Sequence, residues 1–401
     1  MACRSAAGVG EKGSTMRILH VIPSVDLRTG GPAEGLKQLC RIYVQYGHEV
    51  EVATLDAPAA AAELEFPAPI HGLGPCLGIY GFTLRALPWL KANLSRFDVV
   101  ILNSIWQYST LAAYWALRGS GIPYGVFTHG MLDPYFKYRY PLKHVKKSIY
   151  WHLILGKIMR EAGTIYFTSE EEKVLARLSF PRYRVHETVV RYGSLGPDCD
   201  LDLAAQEFLN RWPQLHDKRV AISLGRIHPK KATDLLIQAF AATWARDPQW
   251  RLVIAGPDQV GWRRELEALA ARLGVTDRIL WTGMLEGALK WGSLAAAEVF
   301  VLPSHQENFG VVVAEAQACG LPVILSNKVN IWREVEQSES GLICDDTAQS
   351  TASAMQRWSE LTAEQVLKFR QRSRQCFDEQ FSYATNAQRV VHSVEILMDE
   401  V

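Results

Sequence analysis

The chain has 401 residues, 48% of them hydrophobic and 21% charged, with a formal net charge of +1. That length exceeds what one hydrophobic core usually supports, so two domains of ordinary size are expected, and the composition excludes a disordered or fibrous chain. The near-neutral balance argues against duplex nucleic acid as a partner, and seven scattered cysteines without a C-x-x-C pair argue for reduced thiols rather than a zinc or disulfide framework.

No apolar run approaches the ~18 to 20 residues of a membrane span, so the expected location is the cytoplasm, with peripheral contact to the membrane face left open. Residues 1–15, rich in Gly, Ala and Ser, read as a disordered tail ahead of Met16. Gly8 to Gly13 spells G-x-G-x-x-G, but a dinucleotide loop must follow a strand, and this one precedes the first. Strand-like runs then fall at Ile18 to Ile22, Val50 to Leu55, Val99 to Leu102, Tyr124 to Thr128, Thr164 to Thr168 and Glu187 to Val190. A second set falls at Val220 to Leu224, Arg251 to Ala255, Ile279 to Thr282, Val299 to Leu302, Val323 to Ser326 and Leu342 to Cys344. Amphipathic segments separate them, the signature of parallel sheets wrapped by helices, and it occurs twice. Arg191 to Leu203 is the candidate linker, and its Asp198, Asp200 and Asp202 read as solvated residues rather than a metal site. A last helix is expected over about Ala384 to Met398.

Open parallel sheets bind ligands beyond the carboxyl ends of their strands, so chemistry belongs in the loops that follow strands. The first such loop is Gly30-Gly31-Pro32-Ala33-Glu34, where paired glycines permit close backbone approach and Pro32 suits a first helical turn. Thr128-His129-Gly130-Met131 closes a later strand. In the segment that follows, Lys137, Arg139, Lys143, Lys146 and Lys147 interleave with Tyr135, Phe136, Tyr138 and Tyr140. That pattern suits either a solvated basic surface or contact with an anionic acceptor or membrane. Ser169 with Glu172 forms a capping box ahead of the next helix.

In the second half, Gly225-Arg226-Ile227-His228-Pro229-Lys230-Lys231 follows the strand ending at Leu224. The strongest constellation is Ser304-His305-Gln306-Glu307-Asn308-Phe309-Gly310, then Val311 to Ala314, Glu315, and Cys319-Gly320-Leu321-Pro322-Val323. Gly310 opens a small-residue helix, and the amides of Phe309 to Val311 are expected as free donors that favour phosphate. Glu315, little more than one turn inside that helix, and Glu307, in the loop before it, suit a polyol flanked by phosphate. The plain structural reading is a favourable acidic first turn.

This run resembles the E-x-F-G-x-x-x-x-E signature of the retaining GT-B glycosyltransferases, family four (group 1), and its tail resembles A-x-x-x-G-x-P-V. Gly225 to Lys231 looks like the family's G-R-x-x-x-x-K-G motif, with Ala232 where glycine is usual. The resemblance implies an α/β fold of GT-B type, two Rossmann-like domains facing across a cleft: 16–195 for the acceptor, 196–380 for the donor, and 381–401 as a helix packing back on the first. It implies a nucleotide-sugar donor and a glycan or lipid-linked acceptor, with no metal and no other cofactor. By the same resemblance Arg226 and Lys231 hold the diphosphate, Glu307 the sugar hydroxyls and Glu315 the ribose. Gly225, Asn308, Phe309, Gly310 and Val311 border the donor, Gly30 and Gly31 approach it from the first domain, and His129 approaches the reacting carbon. Sucrose- or trehalose-type synthesis, phosphorolysis, or a binding protein without turnover stay open as alternatives.

Overall fold

A computed structural model of the protein describes residues 15–26, 31–191 and 193–399. Residues 1–14 of the expected tail, with the Gly8 to Gly13 run, and Gly30 lie outside those residues. The twelve expected strands are all present, each within a residue or two of its expected bounds. They are β1 (Arg17–Ile22), β2 (Glu49–Thr54), β4 (Val99–Leu102), β5 (Tyr124–Phe127), β6 (Thr164–Phe167), β7 (Glu187–Val189), β8 (Arg219–Leu224), β9 (Trp250–Ala255), β10 (Ile279–Gly283), β11 (Val299–Leu302), β12 (Val323–Ser326) and β13 (Gly341–Cys344). A thirteenth, β3 (Ile70–Gly72), was not expected. It has three residues, each only half-buried, and sits between proline-rich turns, so no apolar run announces it.

The first sheet is ordered β3-β2-β1-β4-β5-β6-β7 and the second β10-β9-β8-β11-β12-β13. The pairs that carry the argument are parallel: β1 with β2 and β4, and β8 with β9 and β11. Sequence follows burial. The inner strands β4 (VVIL) and β11 (VFVL) are buried on both faces and carry unbroken apolar runs, whereas β2 (EVEVAT) begins with alternation. In both sheets the strand order reverses beside the strand that comes first in sequence, between β1 and β4 and between β8 and β11. Such a switch point leaves a crevice at the carboxyl ends of the strands.

By contacts the chain divides into two compact units. One holds the described residues within Met1–Phe127, Lys157–Ile165 and Val391–Val401; the other holds Thr128–Gly156 and Tyr166–Val390. In the first unit, a Cβ on Gly163 would lie 2.3 Å from Leu397 Cδ1, so the end of the last helix (Tyr383–Asp399) rests on a glycine. In the second, Trp244 stacks on Trp250 at 4.0 Å, and its Nε1 donates to the Met355 carbonyl and Ser359 Oγ, both at 2.9 Å. That contact ties β9 to the helix Ala348–Ser359. In the segment Arg191 to Leu203 all three aspartates are exposed, as expected, and one of them also has a structural task. Asp200 caps the helix Leu201–Arg211, its carboxylate accepting from the amides of Asp202 at 2.9 Å and Leu203 at 3.0 Å. No helix among the described residues is long and apolar enough to cross a membrane.

Candidate active site

Two loops of the second unit meet beyond β8 and β11. In the first, Gly225 leaves β8 with its amide bonded to the Ala255 carbonyl at 2.9 Å, and the chain turns through Pro229–Lys231. Ala232 follows in a left-handed conformation (φ 52°, ψ 41°), the geometry a glycine adopts without strain. In the second loop, Glu307 is pinned by backbone bonds on both sides: its amide donates to the Lys328 carbonyl at 2.9 Å, and its carbonyl accepts from the Asn330 amide at 3.0 Å. Gly310, at φ 69°, then starts the helix Val311–Ala318. A Cβ there would lie 3.3 Å from both Glu307 Cγ and Val313 Cγ2, so space and backbone both call for glycine. Among the described residues the amides of Val311 and Val312 reach no acceptor.

Charged side chains gather around Glu307. Lys231 forms an ion pair with Glu307, their side chains 18% and 22% exposed. Arg226 is exposed and donates to Gln259 Oε1 at 3.2 Å, close enough to act on Glu307 electrostatically. Burial pushes the Glu307 carboxyl up, but Lys231, Lys230 and Arg226 outweigh it and hold it below the ordinary carboxylate range. Lys230 is moved down by burial, with Glu307 and Asp133 opposing, and its ammonium sits 5.2 Å from the centre of the Phe136 ring. Glu315 is held by Lys290 Nζ at 2.8 Å. The Phe309 ring is 5% exposed and packs edge-on against Phe381 at 5.9 Å.

His129 belongs to the same unit. It takes a left-handed backbone (φ 47°) and Gly130 follows at φ 73°. A Cβ on Gly130 would lie 2.8 Å from the Asn308 side chain, so the turn lies directly against the Glu307 loop. Its Nε2 is sealed from solvent, and burial lowers the imidazole to about 3, keeping it neutral.

The buried Glu172 carboxylate organises this turn. It accepts from Thr128 Oγ1 at 2.6 Å, the Gly130 amide at 2.5 Å, the Thr168 amide at 2.7 Å and Thr168 Oγ1 at 2.8 Å, and more distantly from Asn308 Nδ2 at 3.3 Å. The expected capping box is therefore half formed. Ser169 Oγ accepts from the Glu172 amide at 3.1 Å, while the Glu172 carboxylate turns to the strand ends instead of returning to Ser169.

Of the expected residues, Arg226, Lys231, Glu307, Asn308, Gly310 and Val311 form one cluster, with Gly225 at its base and the His129 turn alongside. Gly31 begins the helix Gly31–Gln45 in the other unit, with open space at its Cβ position.

The description "Glycosyl transferases group 1" fits residues 205–375 and "Glycosyl transferase 4-like domain" fits residues 30–193. The chain belongs to the group 1 glycosyltransferases. Curated relatives of this family include a D-inositol 3-phosphate glycosyltransferase of Geodermatophilus obscurus, 38% identical over 136 residues (32% of this chain, 30% of the relative). Another, from Thermomonospora curvata, is 34% identical over 172 residues (39% of this chain, 40% of the relative). The match thus spans well under half the length of these relatives. Among solved structures, Anabaena HepE in complex with UDP and glucose aligns at a TM-score of 0.74 with 18% identity, over 95% of this chain and 99% of that one. Sucrose-phosphate synthase from Thermosynechococcus elongatus aligns at 0.76 with 21% identity, over 96% and 100%. Those likenesses establish the GT-B fold class.

Sequence reasoning missed Lys290, Asp133 and Gly256. Asp133 Oδ2 accepts from Gln306 Nε2 at 3.1 Å across 173 residues of chain, and a Cβ on Gly256 would lie 1.9 Å from the Gly225 carbonyl oxygen. Only the phosphate-favouring loops carried a local signal; these residues are defined by partners distant in sequence.

Proposed function

We propose that the chain transfers a glycosyl unit from a nucleotide-sugar donor to an acceptor hydroxyl, with retention of configuration and without a metal ion. The acceptor class we favour is a surface polysaccharide or its lipid-linked precursor. The observation that carries this reading is the Lys231–Glu307 ion pair, with Arg226 acting on the same carboxylate, in the loop whose Gly310 opens the helix Val311–Ala318.

Each group has a task that its surroundings allow. When the bond from the anomeric carbon to the diphosphate breaks, negative charge grows on the departing phosphate. Two cations and a helix start aimed there stabilise it, as a metal does in other enzymes. Lys231 is available because its partner is a carboxylate that the donor can replace. As Lys231 turns to the phosphate, Glu307 is released to accept hydrogen bonds from sugar hydroxyls. Glu315, steadied by Lys290, accepts from the ribose. Neutral His129 faces the sugar without adding charge beside the reacting carbon. The acceptor oxygen attacks from the side the diphosphate leaves, and its proton passes to the departing phosphate oxygen.

HepE was solved with UDP and with UDP-glucose, which makes UDP the first nucleotide to try. The test is thermal melting with UDP, GDP and ADP in turn, with EDTA throughout. A nucleotide at 100 times its Kd stabilises by about 2.7 kcal/mol. Stabilisation by one of them supports a metal-free donor pocket; a folded sample indifferent to all of them overturns it.

A further inference from the structure

The helix Pro141–Tyr150 and the turn Trp151–Leu155 that continues it have two unlike faces. The inner face is aromatic and fixed. His144 stacks on Phe180 at 4.9 Å, Trp151 stacks on the same ring at 4.8 Å, and Trp151 Nε1 donates to the Pro181 carbonyl at 3.1 Å. The outer face presents Leu142, Val145, Ile149 and Leu153, which are 82%, 57%, 56% and 74% exposed. Their spacing of three, four and four residues lines them up on one side of a helix. Single exposed apolar residues need no explanation, but a contiguous stripe does.

Charge identifies what covers it. Residues 135–156 contain five lysines and arginines and no aspartate or glutamate. Lys143 and Lys146 flank the stripe, and Lys137 and Arg139 precede it. Beneath the same helix, Phe180 also borders a cavity of about 460 Å³ lined by Arg177, Arg182 and Arg184. Arg177 is taken by Glu187, while Arg182 and Arg184 are exposed. An apolar stripe rimmed by cations on a surface helix matches an anionic bilayer, with the stripe at the boundary between headgroups and acyl chains and the cations at the phosphates.

We infer that this helix is an interfacial membrane anchor: Leu142, Val145, Ile149 and Leu153 insert into an anionic lipid surface, and the flanking lysines and arginines hold the headgroups. The surface is coupled to the candidate site within one unit. Phe136, at the start of the basic segment, lies under Lys230, and Asp133 is bonded to Gln306. A chain seated in this way holds the Glu307 loop close to a lipid-linked acceptor. Only that last consequence rests on the transfer reading; the lipid contact itself does not.

The test is flotation of the intact chain with vesicles of phosphatidylcholine alone or with about one third phosphatidylglycerol, without donor or acceptor. The wild type is expected to float with the anionic vesicles and to stay behind with the neutral ones. Ile149→Ser with Leu153→Ser is expected to lower partition about tenfold or more. Lys143→Ser with Lys146→Ser is expected to lower it by a similar factor. All four side chains point to solvent, so melting temperatures should match the wild type. High salt should weaken binding without abolishing it, because the inserted stripe is not screened. Failure of the wild type to float, or flotation of the serine variants equal to wild type, overturns the inference. A dimer in sedimentation that Ile149→Ser with Leu153→Ser converts to monomer also overturns it, assigning the stripe to a second copy of the chain. Neither result touches the nucleotide pocket, which the melting experiment reads separately.

Discussion

Glu172 and Glu307 are carboxylates of the same unit, and their charges are met by opposite means. Glu172 is 3% exposed and is satisfied chiefly by hydroxyls and amides at and just beyond strand ends, with no cation among its hydrogen-bond partners in the described residues. Glu307 is pinned through its backbone, while its carboxylate is paired with the end of a flexible lysine. The first arrangement has no spare acceptor to offer a ligand, and breaking it exposes several buried donors at once. The second is held by one partner that can turn elsewhere. A carboxylate neutralised by fixed dipoles supports architecture; one neutralised by a mobile cation can take part in an exchange with substrate.

The largest expected effect separates the two directly. Glu172→Ala leaves Thr128 Oγ1, the Gly130 and Thr168 amides and Thr168 Oγ1 without their acceptor, and should lower stability by about 3–5 kcal/mol in urea denaturation. Glu307→Ala should cost clearly less, about 1–2 kcal/mol, because only Lys231 loses its partner and its flexible stem can turn towards solvent. Equal losses would erase the distinction. A smaller effect is expected at the loop that carries Lys231. Ala232 is fully buried in a left-handed conformation, so Ala232→Val, adding a branched side chain there, should cost about 2 kcal/mol.

A further effect is on pH dependence, and its sign follows from His129. Burial lowers the folded imidazole to about 3, below its ordinary value of 6.5. The unfolded chain therefore binds the proton first, and stability present above about pH 6.5 is lost progressively as pH falls towards 3. His129→Asn keeps a side chain that tolerates the left-handed backbone and removes the titrating group. Thermal melts from neutral to acid pH should then show a shallower decline for the variant; identical slopes would contradict the assignment.

The sheets were legible because their inner strands are unbroken apolar runs followed by glycine or polar turns, as at Val299 to Leu302 before Ser304. The strand Ile70–Gly72 was not, since three half-buried residues leave no pattern. At the site, Arg226, Lys231, Glu307 and Gly310 were legible because glycine and charge recur just after a strand end in each of two short loops. Glu172 was half legible: Ser169 three residues earlier signalled a cap, and the cap formed, but the side chain found Thr128 and Gly130 more than 40 residues away. Lys290 carries no local signal at all; its meaning comes from Glu315, 25 residues on. The stripe on the helix Pro141–Tyr150 was present in the sequence as spacing, yet only burial distinguishes which of its two apolar faces is covered.

The most direct test of the central claim is turnover of a nucleotide sugar by Arg226→Ala and Lys231→Ala beside the wild type, each sample first shown to melt like the parent. If these cations meet the charge on the departing diphosphate, each substitution should lower turnover by about 100- to 1,000-fold, the scale of losing one preorganised donor to a developing oxyanion. Folded variants that turn over donor at the wild-type rate would contradict the account.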